Sequence, residues 1–82
     1  MDASEAAIAG KAACYRTAIV ARHVVTDARR LDLPAGEIVG VRFRFMAWNA
    51  LRREREPVYA ITRQDGAYWG DLYANCLRDF VL

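Results

Sequence analysis

Residues 31–41 read LDLPAGEIVGV and contain the most informative turn signal in the sequence. An apolar-polar-apolar step is followed by a Pro-x-Gly turn and then by a second alternating run. Pro34 fixes φ for a turn, and Gly36 supplies the positive φ that other residues resist. Ile38 and Val39 then restart a β-branched strand. The sequence therefore predicts one strand that enters a tight turn and returns as the next strand.

The strand that follows this turn has the clearest alternation in the chain. A period of two places successive side chains on opposite faces of a sheet. One face is predicted to be buried and the other to be solvated. The buried set is Val39, Val41, Phe43, Phe45 and Ala47, and the solvated set is Gly40, Arg42, Arg44, Met46 and Trp48.

The first part of the chain changes from helical to β character. Residues 1–14 are rich in alanine and predict an N-terminal helical arm with Ser4 as a candidate N-cap. A helix this short is marginal in water, so we expect it to depend on docking against the rest of the chain. Residues 15–25 alternate and predict a first strand, which a polar and charged loop at 26–30 ends.

The second half predicts further short strands. Residues 49–56 are charged and predict a loop, or one or two helical turns, that Pro57 stops. Asp65-Gly66 predicts a hairpin turn because this pair tolerates left-handed backbone angles. Strands are predicted at 58–62, 67–72 and 80–82, with a turn at 75–77 before the last one.

The composition limits the classes of protein that fit. The chain has 82 residues, which is room for one small β domain at 15–82 preceded by the arm at 1–14. A hydrophobic fraction of 55% excludes a disordered tail. The formal charge of +2 is too small to indicate nucleic acid by itself. The surplus of apolar residues is also compatible with a homodimer that covers apolar surface.

Cysteine usage and hydropathy indicate a cytoplasmic protein. Cys14 and Cys76 stand alone near opposite ends of the chain, which favours two reduced thiols over a disulfide. The N-terminus lacks the basic and leucine-rich segments of a secretory signal. No run approaches the roughly 18 apolar residues that a membrane span needs. We therefore expect no membrane association.

Motifs for catalysis are missing from the sequence. His23 is the only histidine, and no partner motif accompanies it, which favours a structural role. The cysteines lack Cys-x-x-Cys spacing, and neither a serine elbow nor a phosphate-binding glycine loop is present. We expect a protein that is not an enzyme and that has no catalytic residues, no metal and no cofactor.

Two segments together resemble a known family. LDLPAGEIVGV resembles the "L-x-F-x-x-G-D-x-I-x-V" diverging turn of Src-homology-3 domains. GDLYANCL, residues 70–77, is similar to the family's "G-x-x-P-S-N-Y-V", which forms a short 3₁₀ turn before the last strand. The resemblance covers residues 18–82. It implies a mainly β fold: a small five-stranded antiparallel Src-homology-3-like barrel, here with an N-terminal helical arm.

The chain departs from this family at the residues that bind the family's usual ligand. In that family, proline-rich peptides dock on an aromatic groove because a polyproline helix stacks on flat rings. Residues 21–25 replace the family's early tyrosines, and residues 57–58 replace the tryptophan that opens its third strand. Asn75 and Tyr73 alone stand at matching groove positions. A proline-rich ligand is therefore not expected.

Two surfaces are candidates for binding. The first combines arginines with aromatics that could stack on a partner: Arg42, Arg44, Arg52, Arg53 and Arg55 with Trp48 and Tyr59. The second is the aromatic run Tyr68, Trp69, Leu72 and Tyr73, in which one ring should face solvent. Alternatively, Glu54 and Glu56 neutralise a merely solvated arginine face, and the aromatics cover the barrel end or the arm.

These features predict a non-catalytic protein-protein interaction module that acts by surface occupancy. The partner would dock on Trp48, Tyr59 and Tyr73, with arginines steering its approach. A small inhibitor, of the immunity or phage counter-defence type, fits the sequence equally well. The alternative is a nucleic-acid-binding barrel that uses the arginine and aromatic surface.

Overall fold

The computed structural model describes residues 3–26 and 31–82, and the predicted charged residues 27–30 lie outside the described residues. In the described part, helix α1 is followed by seven strands. Ser4 lies inside α1, so it is not the N-cap that the sequence suggests. The elements are α1 Ala3–Ala12, β1 Thr17–Val20, β2 Val24–Thr26, β3 Leu31–Leu33, β4 Ile38–Asn49, β5 Glu54–Thr62, β6 Tyr68–Tyr73 and β7 Leu77–Val81, with a 3₁₀ turn at Ala74–Cys76.

The strands form one antiparallel five-stranded sheet and a separate two-stranded pair. The sheet order is β6-β5-β4-β1-β7, and β2 pairs with β3. The predicted mainly β fold with an N-terminal helix is confirmed. β6 and β7 are the sheet edges, and no closed barrel is found among the strands described.

The turn between β3 and β4 diverges as the sequence predicts. β3 pairs with β2, whereas β4 pairs with β1 and β5. Gly36 has φ +90°, and its N–H donates to the carbonyl of Val20 at 2.8 Å. The Val20 N–H donates in turn to the carbonyl of Glu37 at 2.9 Å. These two hydrogen bonds fix the turn against β1.

The prediction of one continuous strand at 15–25 is wrong, because this segment forms two separate strands. β1 ends at Val20, and the next N–H, that of Ala21, donates to the carbonyl of Cys76 at 2.8 Å. Ala21 is thus hydrogen-bonded to the 3₁₀ turn. The chain leaves the sheet at this point, and β2 begins only at Val24.

The predicted loop at 49–56 is also wrong. β4 continues to Asn49 and β5 begins at Glu54, so only a tight turn separates them. Pro57 lies within β5, opposite Met46, instead of ending a helix. β6 pairs with β5 only from Val58 onwards, so the ladder needs no N–H on that side at Pro57.

A bulge in β4 overturns the predicted division of its faces. The pairing register with β5 shifts between Phe43 and Phe45. A one-residue bulge moves every later side chain to the opposite face. Met46 is consequently buried, whereas Phe45 is 47% exposed. Trp48 therefore shares the face of Met46, and Phe45 shares the face of Arg42.

The core lies on the inner face of the sheet. Tyr59 is its centre: its ring centroid is 5.2 Å from that of Phe80 and 6.3 Å from that of Phe43. Helix α1 packs against this core through buried Ala12. Burial of one such large side chain contributes about 1.5–3 kcal/mol. The largest fully buried side chains are Trp69, Tyr59, Leu33, Ile61, Val20 and Val39.

The hairpin between β5 and β6 confirms the Asp-Gly prediction. Gly66 has φ +86°, and its N–H donates to the carbonyl of Arg63 at 2.8 Å. The Asp65 carboxylate accepts the Ala67 N–H at 2.9 Å. The predicted turn at 75–77 is the 3₁₀ turn, shifted by one residue, and the last strand begins at Leu77 instead of at residue 80.

Candidate interaction groove

A groove of about 470 Å³ lies where the β4–β5 turn meets the 3₁₀ turn. We call it the turn-end groove. It brings together Arg52, Tyr73 and Asn75 from the predicted site residues, and it adds others that the sequence did not suggest. The lining residues are Arg22, Asn49, Leu51, Arg52, Tyr73, Asn75 and Cys76.

A buried carboxylate holds the walls of the turn-end groove together. Glu56 is 7% exposed. Its Oε1 accepts the backbone N–H of Asn75 at 3.0 Å and the Asn75 Nδ2 at 2.9 Å. Its Oε2 accepts the Asn49 Nδ2 at 3.1 Å and lies 3.4 Å from the Arg52 Nε. Both oxygens are thus paired, as a buried charge requires.

Asn49 shapes the β4–β5 turn from inside. Its Oδ1 accepts the N–H of Leu51 at 3.1 Å and that of Arg52 at 3.4 Å. The carbonyl of Asn49 accepts the Arg53 N–H at 2.7 Å, and Arg53 has φ +55°. Asparagine often stabilises a turn in this way. As a result Leu51 projects from the protein and is 98% exposed at the rim of the groove.

Arg22 forms the opposite wall. Its Nη2 donates to the carbonyl of Asn75 at 3.2 Å and to the Oδ1 of the same residue. Nη2 also lies 3.7 Å from the Cys76 Sγ. Sequence reasoning missed Arg22, because its partner is 53 residues away.

The predicted aromatic docking surface is not formed. Tyr59 is 2% exposed, and this burial raises its pKa to about 12. Trp48 is 55% exposed, but it pairs with Arg55 on the face that α1 covers. Tyr73 pairs with Val58 on the other face, and its hydroxyl donates to the carbonyl of Trp48 at 3.0 Å. Tyr73 alone among these three aromatics lines the turn-end groove.

The consecutive aromatics of β6 divide between core and solvent. Trp69 is 2% exposed, so its place among the predicted binding residues is wrong. Tyr68 is 49% exposed and is the solvent-facing ring that the pattern requires. Its hydroxyl donates to Asp71 at 2.8 Å, and this hydrogen bond raises the pKa of Tyr68.

The predicted arginines do not form one cluster. Arg42 lies on the outer face of the sheet, beside a cavity of about 380 Å³. Arg44 pairs with Asp71 at 2.8 Å, and its guanidinium lies 5.8 Å from the centre of the Phe45 ring. Arg52 and Arg53 belong instead to the β4–β5 turn, beyond the far end of β4. At about 3.3 Å per residue, the strand from residue 42 to residue 49 separates Arg42 from this turn by about 23 Å, and Arg44 lies about 17 Å from it.

Ion pairs also reduce the charge that these arginines present. Arg52 contacts Glu54 at 2.6 Å, and this contact raises the pKa of Arg52. Arg42 and Arg53 have no carboxylate within ion-pair distance in the part of the chain that the structure describes. Among the described residues, the outer sheet face and the turn therefore each present one guanidinium of the predicted set without a carboxylate partner.

The remaining chemically active groups are scattered. His23 contacts Asp32 through Nε2 at 2.6 Å, and both side chains are more than half exposed. Cys14 and Cys76 are free thiols. Within residues 3–26 and 31–82 no group of three His, Cys, Asp or Glu side chains is placed to hold a metal ion. α1, the helix described, is too short to cross a membrane.

Comparisons with protein-family models, with curated proteins and with solved structures found no match to this chain. The arrangement of the site itself is therefore the basis for a functional proposal.

Proposed function

We propose that the protein is a non-catalytic protein-interaction domain of Src-homology-3-like fold that docks a segment of its partner in the turn-end groove. One observation carries the proposal. Three segments that are distant in sequence converge on a groove whose floor is already hydrogen-bonded through Glu56. A groove that is formed before binding loses little conformational entropy when a partner docks.

Several features of the fold support the family assignment. The five-stranded antiparallel sheet has the strand number that the resemblance implies, although its described strands leave two edges. The Pro34 turn diverges into β4, and the 3₁₀ turn Ala74–Cys76 directly precedes β7. These are the two segments that carry the sequence resemblance.

The composition of the groove supports a protein partner. Leu51 is almost fully exposed at the rim, so a partner that covers it gains the free energy of burying an apolar side chain. Tyr73 and Arg52 belong to residue types that are enriched at interfaces. Tyr73 is the only aromatic among the lining residues, so proline-rich segments lack the stacked rings they need.

Occupancy of a partner surface serves either an adaptor or an inhibitor. Both roles use the same docking step, and they differ in what the occupied surface does. An inhibitor of the immunity or counter-defence type blocks an active site or an assembly surface of its partner. Addition of the purified protein to its identified partner separates the two: an inhibitor abolishes the partner's activity at one-to-one occupancy, and an adaptor leaves it intact.

Paired surface variants test the proposed docking site. Affinity capture from the native cell, with partner identification, is followed by binding measurements on the purified pair. Leu51→Ser/Arg52→Gln changes the groove rim, and Arg42→Gln/Phe45→Ser changes the outer sheet face; all four residues are exposed, so both variants should fold. We expect the rim variant to bind at least tenfold more weakly and the outer-face variant to bind normally. Unchanged binding by the rim variant would contradict the proposal.

A nucleic-acid-binding surface is the second candidate. Arg42 has no described carboxylate partner, and Phe45 and Tyr68, both about half exposed, lie on the same outer sheet face. Arginines beside exposed rings suit single-stranded nucleic acid. This candidate predicts binding of a labelled oligonucleotide that falls steeply with salt and is lost in Arg42→Gln/Phe45→Ser. The protein-interaction proposal predicts no such binding.

A further inference from the structure

We infer that the turn-end groove selects partner segments that carry a carboxylate side chain, and that Arg22 binds this carboxylate. The inference rests on the proposed function and specifies its ligand. Its basis is the distribution of hydrogen-bond donors and charges around the groove.

Arg22 has donors available for a ligand. Only its Nη2 is engaged, by Asn75 and the Cys76 thiol. Guanidinium carries five N–H donors in a fixed fork, so the Nε–H and both N–H groups of Nη1 have no partner among the described residues. Asn75 contacts the guanidinium through Nη2 and places it at the groove wall. Both parallel N–H pairs of a guanidinium include Nη2, so the remaining donors offer a ligand single N–H bonds. A carboxylate is the protein group that accepts such charge-assisted bonds most strongly.

The carboxylates already at the groove do not compensate Arg22. Glu54 contacts Arg52 at 2.6 Å, and Glu56 is buried among Asn49, Asn75 and Arg52. Neither contacts Arg22. Arg22 therefore gives the groove wall one surplus positive charge, which no carboxylate of the described residues pairs. This surplus favours an anionic ligand and disfavours a lysine or an arginine at the same position.

The rim fixes what lies beside the carboxylate. Leu51, which lines the same groove, is 98% exposed. A partner side chain that covers it must be apolar to gain from the contact. The expected ligand is thus a short segment with an Asp or Glu close to an apolar residue.

Peptide display on the purified protein tests this inference. The probe is a library of random peptides, selected in parallel on the wild type, on Arg22→Gln, on Arg22→Lys and on Arg78→Gln. Arg78 is an exposed arginine of β7 that does not line the groove, so its substitution controls for loss of one positive charge. Thermal unfolding of each variant verifies that it is folded before selection.

The expected result is enrichment of Asp or Glu beside an apolar residue with the wild type and with Arg78→Gln. Affinity for the selected peptides should fall at least tenfold in Arg22→Gln, as loss of a charged hydrogen bond predicts, and less in Arg22→Lys, which keeps the charge. Peptide variants with Glu→Gln should lose affinity for the wild type but not for Arg22→Gln.

Two other results would overturn the inference in distinguishable ways. If the selected peptides carry no acidic preference but still lose binding in Leu51→Ser/Arg52→Gln, the carboxylate inference is wrong and the groove remains the docking site. If no peptide depends on the groove, both the inference and the proposed docking site are wrong.

Discussion

The two faces of the β4–β5 hairpin are stabilised by different interactions. The inner face packs Ile61 and Tyr59 into an apolar core. The outer face, near the turn, buries the Glu56 carboxylate among hydrogen-bond donors from Asn49 and Asn75. Apolar packing has no directional requirement, whereas the carboxylate fixes the distance and orientation of each donor.

The inner face mainly determines the stability of the fold, and the outer face mainly determines the geometry of the turn-end groove. The inner face supplies the free energy that keeps a small chain folded, and it tolerates side chains of similar volume. The outer network holds the β4–β5 turn at a set position relative to the 3₁₀ turn, so it determines the geometry of the turn-end groove. Substitutions on the two faces should therefore have different consequences for folding and for binding.

The largest expected effect is on the inner face. Tyr59→Ala removes a fully buried ring and should lower the free energy of unfolding by about 3–5 kcal/mol. Urea unfolding monitored by circular dichroism measures this change. Tyr68→Ala is the matched control because Tyr68 is half exposed, and its effect should be much smaller. Equal losses would contradict the placement of Tyr59 in the core.

Glu56→Ala should have the next largest effect, because it leaves three hydrogen-bond donors of Asn49 and Asn75 without their acceptor. We expect a loss of about 3 kcal/mol in the same unfolding experiment. Glu54→Ala is the control: the Glu54 side chain is exposed and pairs with Arg52 at the surface, so the change should stay within about 0.5 kcal/mol. A Glu56 variant as stable as the Glu54 variant would contradict the role of Glu56 in holding the outer face together.

Alkaline pH should destabilise the protein through the inner face. The pKa of Tyr59 is raised to about 12 in the folded chain from an ordinary value of 10. Between these values the unfolded chain releases the proton and the folded chain keeps it, so stability falls as pH rises. The integrated loss is about 2–3 kcal/mol. In Tyr59→Phe the slope of stability against pH over this range should be flatter; an unchanged slope would refute the assignment.

The smallest expected effect is at the edge of the inner face, where α1 is held by the pair between Arg55 and Glu5 at 2.9 Å. Arg55→Gln should leave the unfolding midpoint nearly unchanged, because Arg55 is half exposed and screened by water. Amide exchange in α1 should accelerate, because this ion pair is one of the contacts between the helix and β5. Arg78→Gln provides the control for charge. Unchanged exchange would contradict a role of the ion pair in holding the helix.

Local sequence patterns predicted the turns and strands better than the pairing between strands. The LDLPAGEIVGV turn and the Asp-Gly hairpin were predictable because proline and glycine restrict or release φ at single positions. The bulge between Phe43 and Phe45 was not, since the residues around it continue the same alternation. One extra residue in the ladder therefore reversed the predicted faces for the rest of β4.

The groove was harder to predict because its contacts are distant in sequence. Glu56 lies in the charged run RREREP, which is typical of a solvated loop, yet its partner Asn75 is 19 residues away. Tyr59 and Trp69 were expected at the surface because an aromatic residue carries no local mark of burial. Tyr73, Asn75 and Arg52, which the sequence suggested for different surfaces, line the same groove, and their role in binding stays a prediction.

Chemical-shift mapping of the isotope-labelled protein with a peptide selected on it locates the docking surface. We expect amide shifts to change around Leu51, Arg52 and Asn75, and the outer sheet face around Arg42 and Tyr68 to stay unperturbed. Glu56→Gln should weaken binding more than its effect on stability explains, because one of the two oxygens that join the groove walls is replaced by an NH2 group that faces N–H donors. Shift changes centred on Arg42 and Tyr68, with none at the turn-end groove, would contradict the proposed docking site.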